Sequence, residues 1–484
     1  MINVKAISIN VGKALLVSAF FMFVSLLISI AEGYDSAFTP LLISFIITAI
    51  VGAFPFIFVR NASSLSLRDG YLTIFVAWLL SFVFGMLPYV LWGGEFTIVN
   101  AWFESVSGYT TTGATILNDI EALPRSLLFW RSSTHFIGGL GVVVFLLMVM
   151  PSASPFRLKL TNMEMSSLSK EGYRYNSSKL VRVITSVYIC LIIASCLAFW
   201  AAGMSLFDAV NHAFSVASTG GFSTRNLSIA YYDSDAVNVV ALVFMVLSAM
   251  HFGLIYSVFV TRSLKPMNNP VVIYYLSSII VMAALVTFVL MSRGGYDSLG
   301  TAAMHASFNV VSYMTTTGFA ICDNASWPFL ADMVLMMAAI QCGCSGSTTG
   351  GLKVDRVVIA FKAIMNELRH KLHPTSVSRL KMGRQYLPDS MVGAVCLYIV
   401  LYMIVVLISC ILVMLTGVEA MEAVSGTFAS IGNIGPGLDK VSAMCNYSMQ
   451  PAMAKLIFTF DMFLGRLEIF PVLIVLSFIF KRDR

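Results

Sequence analysis

The chain has 484 residues, 58% of them hydrophobic and only 11% charged, with a mean hydropathy of +0.86 and a formal net charge of +6. These proportions exclude a string of soluble domains and place it among polytopic membrane proteins. Eight scattered cysteines, mostly inside apolar runs, exclude a disulfide framework, and the single close pair, Cys342 and Cys344, lacks the further ligands of a zinc site.

The first apolar run, 14–30, follows Lys5 and Lys13 and precedes Glu32-Gly33-Tyr34-Asp35, which carries no small-residue cleavage pattern, so a retained span is predicted. A second span is predicted over 37–59 and a third over 71–92. From there a unit recurs: a span, a short helix, a glycine turn and a returning span. The remaining predicted spans are 132–150, 183–202, 236–260, 271–291, 333 onward, 391–416 and 456–480. The fold class is therefore an all-α polytopic membrane protein. Two leading spans (1–69) come first, followed by four repeats over 70–155, 156–265, 266–385 and 386–484. A short helix of about a dozen residues falls below the ~20 needed to cross a bilayer, so each must dip in and return.

The four turns align. With Gly113, Gly221, Gly318 and Gly435 at position zero, the spacings are 108, 97 and 117 residues. Twelve residues earlier stand Ala101, Ala209, Ala306 and Ala423, and one before each alanine is a polar residue suited to a helix start: Asn100, Asp208, His305 and Glu422. Six before zero are Ser107, Ser215, Ser312 and Ala429. One such turn would suit close packing of transmembrane helices. Four aligned turns can instead surround an axis and present backbone carbonyls, with nearby Thr and Ser oxygens, to a cation stripped of water.

Charge orients the chain. If successive spans alternate, 23 of the 30 Lys and Arg fall on the side of the termini and of the loops 60–69, 151–182, 261–270 and 353–390. That side is predicted to be cytoplasmic, so the turns open outward, among acidic loops that would concentrate cations.

Two places break the repeat. The stretch from Gln341 to Gly351, with Gly343, Ser345, Gly346, Ser347, Thr348, Thr349, Gly350 and Gly351, should not remain helical, because glycines and hydroxyls lower helix propensity throughout it. It is placed to obstruct or open an ion path, or alternatively to pack helices closely. Its likeness to a phosphate-binding loop fails, since no Ser or Thr follows Lys353 and that lysine does not directly follow Gly351. Arg466 lies inside the last predicted span with no acid on its own face, so it requires a partner on another helix or a water-filled cavity. His135, His212 and His305 share no ligand spacing, and no carboxylate pair suggests catalysis; the chain is not expected to be an enzyme or to bind nucleic acid.

The fourfold unit, together with Gly465-Arg466-Leu467-Glu468 and Gly346-Ser347-Thr348-Thr349-Gly350-Gly351, resembles the superfamily of Trk, Ktr and HKT potassium transporters, and most closely its bacterial TrkH/TrkG-type subunits. The resemblance implies a K+ filter of Thr111, Thr112, Gly113, Thr219, Gly220, Gly221, Thr316, Thr317, Gly318, Asn433, Ile434 and Gly435. It also implies an intramembrane gating loop over 343–351 and an Arg466 that projects into the pore. Further implications are a homodimer among membrane lipid in the bacterial inner membrane, and a cytosolic TrkA-type ring. That ring, rather than this chain, would bind the nucleotide, ATP/ADP or NAD. An ion-coupled symporter using Asp461 or Glu468, and a non-conducting scaffold or sensor, are the alternatives.

Overall fold

A computed structural model of the chain describes residues 3–59, 66–149, 177–293, 295–374, 380–383 and 385–480, and every structural statement here concerns those residues. The basic loop 151–182, predicted to be cytoplasmic, lies mostly outside them.

The leading pair is α1 (Val4–Ala31) and α2 (Phe38–Phe58). They pack closely where Gly12 meets Gly52, each near the other's carbonyl, as small residues allow in membranes. Ile46, Ile50, Phe54 and Ile57 form an exposed apolar stripe on α2, the surface a lipid solvent requires. A Ser66–Asp69 capping box starts α3 (Leu67–Gly85), and α4 (Leu87–Trp92), with Pro88 in its first turn, completes that crossing.

The four short helices are α5 (Ile98–Tyr109), α8 (Leu206–Ala217), α12 (Leu299–Met314) and α16 (Ala420–Gly432). Three of the four aligned polar residues, Asn100, Asp208 and Glu422, sit near a helix start as expected, and His305 does not. Thr97 and Ser205 cap α5 and α8, accepting from the backbone N–H of Asn100 and Asp208, so the aligned polar residues lie inside the first turn, and His305 lies mid-helix. The aligned alanines are fully buried, where a side chain no larger than methyl lets the short helix cross its neighbours.

Six helices are long and apolar enough to cross a membrane, or seven if one bent pair counts as a span, and the protein is a multi-pass membrane protein. The returning helix of the first repeat, α6 (Arg125–Val149), is continuous. The other three are not. In the second repeat, which opens with α7 (Ser177–Ala201), the span predicted as straight over 236–260 is instead α9 (Asp235–Ser248) and α10 (Phe252–Thr261), bent by 99°. His251 supports the bend by accepting from the Gly253 N–H. In the third, α11 (Pro270–Arg293) leads in, α13 (Phe329–Gln341) stops where the glycines begin, and α14 (Val354–Leu372) resumes after them. In the fourth, α15 (Asp389–Met414) leads in. The last span, predicted unbroken over 456–480, is split at Glu468 into α17 (Ala452–Leu467) and α18 (Ile469–Phe480). The only strands among the described residues are the two-residue pair Lys381–Met382 and Gln385–Tyr386.

A fully buried ion pair within the first repeat also reaches the second through its arginine. Arg131 Nε donates to Glu104 Oε1 at 2.6 Å, Nη1 reaches the Ser223 carbonyl at 3.1 Å, and the guanidinium lies 3.8 Å from the Phe222 ring centroid. Glu104 also accepts from Thr115 Oγ1 and the Ile116 N–H. Removing one partner strands the other in a low dielectric, so Glu104→Ala is expected to cost about 3–5 kcal/mol, and Glu104→Gln, which keeps an acceptor, less. Thermal unfolding of the purified variants in detergent checks this order.

Candidate functional site

Each short helix ends in the same way. The residue two before zero, Thr111, Thr219, Thr316 or Asn433, takes φ of 52°, 55°, 55° or 54°. Its N–H bonds the carbonyl three residues back, and the next N–H bonds the carbonyl five back, at 2.8–3.2 Å in every copy. This is the Schellman closure of a helix, in which the left-handed residue is normally Gly or Asn. Three copies place threonine there, whose β-branch disfavours that conformation.

The closure turns the following peptides away from the helix. Gly113, Gly221, Gly318 and Gly435 then adopt φ of 79°, 82°, 78° and 95°. A Cβ on Gly113 would collide with the Gly220 carbonyl oxygen, on Gly221 with that of Thr317, on Gly318 with that of Ile434, and on Gly435 with that of Thr112. The contacts therefore close a four-membered ring, each zero glycine against the preceding-position carbonyl of the next turn. Eight of the twelve turn residues singled out in the sequence make these contacts, and the other four, Thr111, Thr219, Thr316 and Asn433, are the left-handed residues that set the turns. Among the described residues, the carbonyls of Thr111, Thr112, Gly113, Thr219, Gly220, Gly221, Thr316, Thr317, Gly318, Asn433 and Ile434 receive no hydrogen bond. The Gly435 carbonyl accepts from Tyr447 Oη at 3.0 Å.

The turns differ behind the ring. Ser107 and Ser312 donate to the carbonyls of Ala114 and Phe319 at 2.6 and 2.7 Å, and the hydroxyl pairs Thr110/Thr112 and Thr315/Thr317 stand 2.8 Å apart. In the second turn a Cβ on Gly220 would run into the His135 imidazole, which stacks on Phe222 and lies 3.2 Å from Ser215 Oγ. His135 thus occupies the space of the missing threonine side chain. The sequence signal was the glycine that interrupts the threonine pattern. In the fourth turn Asn433 Nδ2 donates to Thr112 Oγ1 at 3.1 Å and to the Met462 carbonyl at 2.8 Å, crossing to the first repeat.

One face of the ring opens into a vestibule of about 180 Å³ that touches all four zero glycines as well as Arg131, Arg225 and Asn226. Among the described residues its lining contains no Asp or Glu, and several acids on the side expected to concentrate cations are paired. Glu104 pairs with Arg131, Asp208 with Arg225 at 3.2 Å and Glu422 with Lys440 at 3.0 Å. The Asn226 side chain beside Asp119 holds that carboxyl below its ordinary range. The other predicted histidines are hydrogen-bonded: His212 between the Asp208 carbonyl and Ser223 Oγ, His305 to Tyr296 Oη.

The glycine-rich segment lies on the opposite face. Cys344 N–H bonds the Ala249 carbonyl freed by the α9–α10 bend at 2.9 Å, and Gly343 and Gly346 lie against Ala249 and His251. Farther along, Thr348 Oγ1 reaches the Ala217 carbonyl at 3.0 Å and the Gly350 N–H reaches Thr316 Oγ1 at 3.2 Å. Gly350 and Gly351 sit against Gly432. Ser347 and Thr349 share a 2.8 Å contact, and Lys353 Nζ donates to the Thr349 carbonyl. Ser345 stands apart from the ring, its N–H bonded to Asp355. Arg466 needs no acid: Nη1 donates to the Thr348 carbonyl at 2.6 Å and Nη2 to that of Gly138 at 3.2 Å. Of the two carboxylates in the last span, Glu468 pairs with Arg356 at 2.9 Å, while Asp461 is fully buried and accepts from Ser409 Oγ at 2.6 Å.

The comparisons with known proteins agree with this architecture. The profile of the family described as "TrkH: Cation transport protein" matches residues 39–484. The chain is 34% identical to the Trk system potassium uptake protein TrkH of Salmonella typhimurium over 88% of each chain, and 34% identical to that of Halomonas elongata over 97% of this chain and 98% of the other. The crystal structure of the potassium transporter TrkH from Vibrio parahaemolyticus superposes with a TM-score of 0.86 at 30% identity, covering 98% of this chain and 99% of that one. With its profile matched from the second helix to the end and its fold shared almost throughout, the chain belongs to the TrkH family of cation transport proteins.

Proposed function

We propose that this chain is the pore subunit of a potassium uptake system, with the four-turn ring as its filter. The observation that carries this reading is the closed set of contacts between each zero glycine and the next turn's carbonyl. It gathers unbonded carbonyls around one axis at the base of a polar vestibule, and such oxygens can replace the hydration shell of a potassium ion. Left-handed threonines hold the turns in place before any ion arrives. Segment 342–353 lies across the path on the other face and Arg466 pins its middle, an arrangement that suits a closed gate. The membrane potential supplies ~2.3 kcal/mol per charge per 100 mV, enough to draw potassium inward without a further energy source.

The same proposal has both termini in the cytoplasm of a bacterial cell, two copies forming a homodimer, and a nucleotide-binding ring of TrkA type meeting the inner surface. The name "Trk system" carried by the relatives, and the basic inner loops, support it.

Rubidium uptake into potassium-loaded liposomes tests the filter. Gly113→Ala and Gly318→Ala are expected to lose about tenfold or more of the flux, because a methyl group must displace a filter carbonyl. Gly393→Ala, where nothing lies within 4 Å, should leave it unchanged. Flux preserved in both filter variants would refute the assignment. Arg466→Ala should raise uptake by protein reconstituted alone by about threefold or more, since it removes both a positive barrier and the hold on Thr348. Asp461 tests the coupled alternative: in a channel, Asp461→Asn keeps uptake within about twofold, and an imposed pH gradient at fixed membrane potential does not drive it. Proton-driven uptake that Asp461→Asn abolishes would instead establish symport.

A further inference from the structure

Arg466 and Glu468 lie two residues apart at the junction of α17 and α18, yet they reach different parts of the same segment. Arg466 holds Thr348 near the middle. Glu468 Oε1 pairs at 2.9 Å with Nη2 of Arg356, which sits in the first turn of α14, where the segment ends. We propose that Glu468 and Arg356 are positioning residues forming the second point of a clamp that keeps segment 342–353 across the pathway, an inference that rests on the gate reading above.

Four observations carry it. The backbone of Glu468 takes φ of 62°, a left-handed conformation glutamate seldom adopts, and this ends α17 at the residue that makes the pair. The Arg356 guanidinium is fixed by more than its carboxylate. It lies 4.0 Å from the Tyr398 ring centroid on α15, and its Nη1 donates to the Leu352 carbonyl at 3.4 Å. The two side chains are 15% and 17% exposed, shielded enough for the charges to matter and open enough to separate without stranding either in lipid. Finally, the neighbouring Asp355 accepts from the Ser345 N–H at 2.6 Å, so the first turn of α14 holds the start of the segment as well as its end.

The clamp has a mechanical consequence. From its anchored first turn, α14 continues to an exposed end at Arg369, His370 and Lys371. A displacement of that end is transmitted to the pair, and the pair connects it to the junction carrying Arg466. The gate therefore opens when α14 and the α17–α18 junction separate, and both holds on the segment weaken together.

The test is rubidium uptake by the full chain reconstituted alone, with Arg466→Ala as the reference for an opened gate. Glu468→Gln and Arg356→Gln should each raise uptake about three- to tenfold, and the double variant should rise no further than the higher single, because both remove one interaction. Arg356→Lys keeps the charge and should remain near wild type. If the glutamine variants stay at the wild-type level while Arg466→Ala rises, the clamp is wrong and the gate reading survives. If none of them rises, including Arg466→Ala, the gate reading itself fails. Arg356→Lys rising as far as Arg356→Gln would assign the effect to packing of the guanidinium and overturn the role of the charge pair. Glutamine variants that raise uptake additively would overturn it too.

Discussion

The arrangement depends on one steric fact: at four places a carbonyl oxygen occupies the space where a side chain would begin. A ring of turns packed this tightly cannot be assembled from residues with a Cβ. It also cannot be assembled unless each short helix ends with its chain already turned. The Schellman closure uses two carbonyls of the last helical turn and directs the following peptides toward the axis. The threonines at the left-handed positions carry a conformational cost of about 1–2 kcal/mol each, which the surrounding packing must offset. Full burial of those threonines and of the aligned alanines behind them indicates where that packing is.

Much of this was legible in the sequence, because a glycine with φ near 80° leaves a mark no other residue can replace. The repeat, the short helices and the interruption after Gln341 follow from composition and spacing. The bend at Ala249–His251 and the break at Glu468 do not. Local breakers stand close by, Gly253 just past the bend and Pro471 three residues past the break, but the apolar runs mask them, and tertiary partners complete both: the Ala249 carbonyl accepts from Cys344 and the Glu468 carboxylate pairs with Arg356. Single-chain periodicity does not register a hydrogen bond arriving from a hundred residues away. For the same reason Arg131, one residue outside the span predicted over 132–150, gave no sign of being the buried partner of Glu104.

Arg466 shows how a charge can be accommodated in a membrane without an opposite charge. Two backbone carbonyls from different repeats accept from its guanidinium, and both belong to stretches rich in glycine, Gly138-Gly139 and the segment around Thr348. Glycine lets the backbone approach the cation closely. The carbonyl dipoles give a weaker hold than a carboxylate would, so the contact can form and release without leaving a buried anion behind.

The unequal turns have a consequence for how such a ring can change over time. In a ring assembled from four copies of one chain, every substitution appears four times, and a change tolerable once is rarely tolerable in quadruplicate. Here a single polypeptide carries all four turns. Each quarter can therefore differ on its own: one turn has glycine where two others have threonine, and His135 fills the space, while another places Asn433 where its amide crosses to Thr112. The symmetry is complete at the glycine contacts, the helix closures and the aligned alanines, and elsewhere each quarter is a separate site that substitution can adjust alone.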